Sequence, residues 1–227
     1  MSQTIERTET VVLNPTGNTG TSGLTTNTNY PASNGYTDTS STSYARFTPS
    51  STSSNGYTYY TFTVSNIPTN AIITSVTCIA KIRISNTSYV TNTGIQLYTG
   101  TTAKGNSATF SSTSSSNTVT INGGSNWILS EISNIRLRIQ GRKGSSNNNG
   151  YIYFYGANLT IQYSYNETLY DITSVLSTDL VDSIDPGGLV SVSSGDDYNL
   201  KIYTNSSLGD DIIVEDNGID VTNQVTL

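Results

Sequence analysis

The chain has 227 residues, room for one large domain or two small ones. Only 11% of residues are charged and 34% hydrophobic, with a net charge of −6, yet there are 16 Tyr. Disordered chains combine high net charge with few aromatics, so that class is excluded. The chain contains no His, the commonest general base and metal ligand, and a single Cys, Cys78, which rules out an intrachain disulfide and a cysteine-rich zinc site. Cys78 has no imidazole to activate it and reads as a small apolar core residue rather than a nucleophile.

Thr, Ser, Asn, Gly and Tyr dominate, with Ile and Val in alternation. Thr, Tyr, Ile and Val suit half-buried strands, and Asn, Gly and Ser suit the turns between them, so the expected class is all-β. The first nine residues, Met1-Ser-Gln-Thr-Ile-Glu-Arg-Thr-Glu9, hold two acids and no apolar run, unlike a secretory leader. No stretch approaches the roughly 18 apolar residues of a membrane span, so no membrane insertion is expected.

In chain order, residues 1–55 are the simplest part, with Asn14-Pro-Thr-Gly-Asn-Thr-Gly-Thr-Ser-Gly23 and Ser50-Ser-Thr-Ser-Ser-Asn-Gly56 at their extremes. Apart from Val11-Val-Leu13 and Tyr44-Ala-Arg-Phe47, little in them can bury a core. They read as an extended assembly arm that needs a surface to lie on, either the chain's own sandwich or a neighbouring subunit. From Tyr57 the pattern changes. Tyr60, Phe62 and Val64 alternate with Thr61, Thr63 and Ser65, a strand of period two. After the turn Asn66-Ile-Pro-Thr-Asn70 comes the longest strand signal, with Ile72, Thr74, Val76, Cys78, Ala80, Ile82 and Ile84 on one face.

Gly94–Tyr98 and Asn117–Ile121 are further short strands, and Trp127–Ile132 breaks the alternation, as a single helical turn would. Ile135, Leu137 and Ile139 alternate with Arg136, Arg138 and Gln140. A loop at 141–150 leads into Tyr151–Tyr155 and Leu159–Tyr163. Such strands, each with one apolar face, predict an antiparallel, jelly-roll-like sandwich over residues 56–166.

Beyond Tyr165 the charge reverses. Nine basic and four acidic residues up to that point give +5, whereas Lys201 alone faces twelve acids afterwards, giving −11. This predicts a boundary near residue 166 and a small acidic Ig-like β module over 167–227. Its strands are expected at Leu189–Val192, Tyr198–Tyr203, Ile212–Val214 and Ile219–Thr222, with Asp216-Asn-Gly218 as a hairpin turn. The run ending at Val225-Thr-Leu227 is expected to continue, or to close on a strand that pairs elsewhere.

The run Tyr59-Tyr-Thr-Phe-Thr-Val-Ser-Asn-Ile-Pro-Thr-Asn-Ala-Ile-Ile-Thr-Ser-Val-Thr77, with Ser130-Glu-Ile-Ser-Asn-Ile-Arg-Leu-Arg-Ile139 and Ala157-Asn-Leu-Thr-Ile-Gln-Tyr-Ser-Tyr165, resembles a recurrent sandwich of bacteriophage structural proteins. The resemblance covers about 57–165 and rests on strand-and-turn patterns. It implies a domain of head fibres, tail fibres and other virion appendages, with no catalytic residues to carry over. More weakly, 184–222 is similar to β modules of surface proteins.

Several clusters bear on chemistry. Tyr151, Tyr153 and Tyr155 share one face of a strand, opposite Ile152 and Phe154 and beside Asn147, Asn148 and Asn149. Exposed rings with neighbouring amides are what sugar stacking needs, and equally what an interface with the arm or another subunit uses. The acidic pairs Asp196-Asp197, Asp210-Asp211 and Glu215-Asp216 fit no calcium-loop spacing and read as solvated turn residues. Arg136, Arg138, Arg142 and Lys143 can meet phosphate, but read first as a solvated strand face or a partner for an acidic module, so no nucleic acid is expected.

With no catalytic, cofactor or metal residues to nominate, the expectation is a non-enzymatic virion structural protein: a head fibre, capsid decoration or tail appendage. It would be made in the host cytoplasm and exposed on the particle, which reconciles an adhesin-like surface with the absence of a leader. Its partners would be other virion proteins and copies of itself, with a trimer the first guess. The alternative is a carbohydrate-binding adhesin that recognises host surface glycan.

Overall fold

A computed structural model of the protein describes residues 2–171 and strands at 189–193, 198–203, 211–216, 219–220 and 225–226, with side chains for residues 5–166. Among these residues the strands are β1 (Ser2–Leu13), β2 (Pro15–Ser22), β3 (Leu24–Thr26), β4 (Ala45–Pro49), β5 (Gly56–Phe62), β6 (Ile72–Ile84), β7 (Val90–Thr99), β8 (Thr102–Ala108), β9 (Thr118–Gly124), β10 (Ile135–Lys143) and β11 (Ile152–Asp171). The C-terminal strands are β12 (Leu189–Ser193), β13 (Tyr198–Tyr203), β14 (Asp211–Asp216), β15 (Ile219–Asp220) and β16 (Val225–Thr226). Among the described residues the one α-helix, α1 (Leu129–Ile132), is the helical turn expected before β10.

The chain divides into two compact units, Thr8–Tyr165 and a second made of Met1–Arg7 with Asn166–Leu227. In the first, strands β4 to β11 fall as β4-β11-β6-β9 in one sheet and β5-β10-β7-β8 in the other. That is the strand order of a jelly roll, in which successive strands alternate between two facing antiparallel sheets except at the β7–β8 hairpin. Strand β3 extends the first sheet beside β4, and β2 extends the second beside β5. The inward faces bury Phe47, Tyr60, Ile82, Ile95, Ile121, Leu137, Ile139 and Phe154. Each such side chain contributes about 1.5–3 kcal/mol by leaving water.

Residues 8–55 therefore belong to the sandwich unit itself. Leu24, Ala45 and Phe47 belong to the core, with Ala45 and Phe47 at 0% exposure. A 3₁₀ turn at Ala32–Gly35 lies over the core, and the Tyr60 hydroxyl donates to the Ala32 carbonyl at 3.1 Å. The strands here are short and interrupted by polar loops, so only pairing with β11 and β5 completes them.

The long strand β6 departs from simple alternation. The pairing Gln162↔Ser75 is followed by Tyr163↔Ile73, so Thr74 is an extra residue. One inserted residue flips the faces before it. Ile73 is buried at 4%, and Ile72, expected inside, is 68% exposed.

In the second unit β12-β13-β14-β15 form one antiparallel sheet. The pairing Asp216↔Ile219 leaves two residues between β14 and β15, the length expected of an Asn-Gly hairpin turn. Strand β16 pairs in parallel with β11 through Tyr170↔Val225 and Asp171↔Thr226. Of the expected Ig-like module the described residues comprise this sheet.

Candidate functional site

The tyrosine row of β11 lies in the centre of the first sheet, flanked by cations that the strand register dictates. Tyr153 stands opposite Arg46 of β4 on one side and Arg83 of β6 on the other. The Arg83 guanidinium lies 3.8 Å from the Tyr153 ring centroid, and its Nε donates to the Tyr155 hydroxyl at 2.9 Å. Arg46 lies between the rings of Tyr30 and Tyr151, at 4.7 and 4.8 Å, and Lys81 lies 5.2 Å from the Tyr155 ring. Tyr44 closes the stack with its edge towards Tyr153 at 5.1 Å and its face on Tyr30 at 4.8 Å. Cation–ring contacts contribute about 0.5–2 kcal/mol each, more as they lose water.

This row is partly covered. Tyr155 is 4% exposed, and Tyr151 and Tyr153 are half-buried. Residues 37–41 lie along the same region. The Ala157 N–H donates to Thr37 O at 3.0 Å, Thr39 donates through N–H and Oγ1 to Asn158 Oδ1, and Lys81 Nζ donates to Ser41 O at 2.8 Å. The stripe thus packs against the chain's own N-terminal segment, one of the two arrangements open from sequence. The Tyr44 hydroxyl titrates above the usual range because it is hydrogen-bonded to Tyr30 and partly desolvated.

The second sheet carries a matching ladder that sequence reading missed. Arg136 lies 4.5 Å from the Tyr59 ring, and Arg138 lies between Tyr57 and Tyr98 at 4.7 and 5.3 Å. Arg138 Nη1 donates to the Tyr98 hydroxyl at 2.6 Å, and Arg136 Nη2 donates to Gly100 O. Arg138 is thus held between two rings and Arg136 against one, both half-buried instead of forming a fully solvated strand face. The sequence signal was present: Tyr57 and Tyr59 alternate on one strand, Arg136 and Arg138 on another. Pairing β5 with β10 interleaves them.

Asn147, Asn148 and Asn149 are all exposed, and they lie away from Tyr155 at one end of the sandwich. Four loops meet there: 50–55, 85–89, 109–117 and 144–151. Backbone hydrogen bonds of 2.9 Å brace them, from Lys143 N to Ser51 O, Gly144 N to Tyr89 O, Ser85 N to Tyr151 O, and Ile84 N to Ser112 O. Tyr151 N donates to Ser85 Oγ at 2.9 Å. None of the four loops contains a charged residue. The result is a braced tip of hydroxyls and amides, with the Lys143 ammonium lying on it through a 3.2 Å bond to Ser146 O.

The opposite end is where the chain enters and leaves the sandwich, since β11 runs from the tip at Ile152 towards Tyr165 and Glu9 acts electrostatically on Tyr163. Glu131 accepts there from Lys104 at 2.8 Å and from the Ile128 N–H at 3.1 Å, and these bonds lower its carboxyl pKa. Cys78 is fully buried, and desolvation pushes its thiol far above the usual value, consistent with a core role. Among the described residues no group of three or more acids, His or Cys is placed to hold a metal ion. Asp196, Asp197 and Asp210 fall outside the described residues, as do the side chains of Asp211, Glu215 and Asp216. No helix of the described residues is long and apolar enough to cross a membrane.

The class that fold and surface define is an all-β jelly roll with tyrosine–arginine ladders on both outer faces. No family model, curated protein or solved structure matches the chain at a significant level.

Proposed function

We propose that this chain is a non-enzymatic structural protein of a bacteriophage virion, exposed on the particle as a head fibre, capsid decoration or tail appendage. The observation that carries the reading is the polarity of the sandwich along its own axis. The chain enters and leaves at one end, and four braced, uncharged loops form the other. Such a body suits display, with one end committed to attachment and the other presented outward. Jelly rolls recur in viral capsid and lectin domains, and this support is fold-level analogy. The phage-like strand pattern over 57–165 adds to it. Because residues 15–49 supply sandwich strands, assembly with other virion proteins and with further copies, three as the first expectation, is assigned to the entry end. Ile72 and Ile128 are 68% and 64% exposed there.

Cross-linking mass spectrometry on purified particles tests this. Cross-links from the chain to capsid or tail proteins are expected, and the protein joined decides head against tail. Absence of the chain from infectious particles would overturn the reading.

The second reading, a carbohydrate-binding adhesin, is favoured by the exposure of Asn147, Asn148 and Asn149 at the tip. Replacing all three with Ala, with folding intact, would abolish cell attachment under this reading and leave particle incorporation unchanged.

A further inference from the structure

A hollow of about 330 Å³ opens on the second sheet near the entry end, with none of the tip-loop residues in its lining. Thr19, Thr61, Ser133, Asn134 and Arg136 line it, together with the buried Phe62 and Ile135. The volume sits at the low end of the roughly 300–1,000 Å³ of small-molecule sites, the size of a single sugar unit rather than a chain.

Arg136 sets the charge preference. It is the cation of the hollow, and the acid nearest to it in sequence, Glu131, is already paired with Lys104 at 2.8 Å. Its guanidinium is fixed on one face by the Tyr59 ring at 4.5 Å and at one nitrogen by Gly100 O. Its Nε is buried without a hydrogen-bond partner among the described residues. With Nε shielded and one Nη2 proton on Gly100 O, the Nη1 and Nη2 end of the fork remains to receive a carboxylate through two parallel hydrogen bonds, at little further loss of freedom. Around it, Asn134 spends its amide N–H groups on Ser130 O and Ser133 Oγ, at 3.4 and 3.3 Å, so its carbonyl oxygen remains to accept from a ligand hydroxyl. One anion receptor, several hydroxyl partners and a small apolar lining form a set that a neutral sugar leaves partly unmatched and a simple anion leaves mostly unused.

We infer that this hollow binds a carboxylate-bearing monosaccharide unit, of the uronic-acid type, with Arg136 receiving the carboxylate, Thr61 and Asn134 meeting its hydroxyls, and Ser133, whose own proton goes to Ser130 O at 2.9 Å, accepting from one of them. The inference rests on the hollow alone, so it stands or falls separately from the virion reading and from any role of the tip loops.

Saturation-transfer NMR on the full chain, with D-glucuronate, D-glucose and acetate as probes at equal concentration, tests it. Transfer to glucuronate is expected, with at least tenfold weaker binding of glucose and of acetate. Arg136→Gln should abolish the glucuronate signal and Arg136→Lys should fail to restore it. Arg136 also packs on Tyr59, so the exposed-loop variants Ser133→Ala and Asn134→Ala serve where Arg136→Gln does not fold, and each should weaken binding severalfold. No glucuronate binding, glucose binding as strong as glucuronate, or binding indifferent to the Ser133 and Asn134 variants would overturn the inference. Acetate binding as tight as glucuronate would reduce the hollow to a plain anion site and overturn it equally.

Discussion

At the scale of single residues, the outer face of the first sheet depends on one glycine and one arginine. Gly156 follows the bulge at Tyr155 and holds φ at +149°, and a Cβ there would come within 2.3 Å of Thr37 O and 2.4 Å of Asp38 O. The backbone of β11 and the segment above it approach this closely because no side chain intervenes. Gly156→Ala should therefore cost about 1–3 kcal/mol through backbone strain and should release residues 37–41. Both effects can be read from the urea midpoint and from faster amide exchange at Ala157, whose N–H bonds Thr37 O. Arg83 acts on the other side of the same strand, on the Tyr153 ring and the Tyr155 hydroxyl together. Arg83→Gln should lower stability by about 1–3 kcal/mol, the sum of one partly desolvated cation–ring contact and one charged hydrogen bond. A loss below a few tenths in equilibrium denaturation would mean that the ladder is decoration. The tyrosine row itself was legible from alternation in 151–155. Its arginine and lysine partners were not, because they lie on β4 and β6, remote in sequence and set by register alone.

Among the elements, the largest gap between sequence and structure lies in the first 55 residues. Strand β4 has five residues, yet Ala45 and Phe47 are wholly buried, and Phe47 pairs with Ile152 and meets Tyr60 edge-on at 6.2 Å. Phe47→Ala should cost about 3–5 kcal/mol in a denaturant titration, as for other buried aromatics. Val12→Ala, at a position 56% exposed, should change little. Near-equal effects would return these residues to the status of a loosely attached arm. Period-two alternation over five to thirteen residues made β5, β6, β9, β10 and β11 readable, and the helical turn at Leu129–Ile132 showed as a break in it. Strands β2 and β8 carry almost no such signal. Pro15–Ser22 and Thr102–Ala108 are edge strands with mostly exposed residues, and an edge that buries little leaves little trace in hydrophobic pattern. The hollow beside Arg136 was unreadable for a related reason: Thr19, Thr61, Gly100 and Arg136 come from four separate segments that only folding assembles.

For the whole molecule, the charge split visible in the sequence places few carboxylates in the sandwich and many tyrosines, which gives its stability an asymmetric response to pH. On the acid side Glu131 is held below its usual value by the Lys104 and Ile128 N–H bonds. A carboxyl lowered in this way adds stability above about pH 4.3, and the contribution is lost as pH falls through the lowered value. The acid response of the sandwich should therefore be small. On the alkaline side Tyr60 is shifted well above its ordinary value by burial, and Tyr163 is raised by burial and by the charge of Glu9. Above about pH 10 the unfolded chain loses these phenolic protons while the folded chain keeps them, so unfolding is favoured progressively as pH rises. Urea midpoints followed by tryptophan fluorescence at Trp127, buried at 5% exposure, should stay level from neutral pH to about 9 and then fall. Tyr60→Phe removes the most deeply buried of these hydroxyls along with its bond to Ala32 O. It should start about 1 kcal/mol less stable at pH 7 and then decline less steeply in alkali, so the two curves converge. Parallel curves would show that Tyr60 ionises as freely inside the sandwich as in water, which a side chain packed between Phe47 and Phe154 has no solvent to permit.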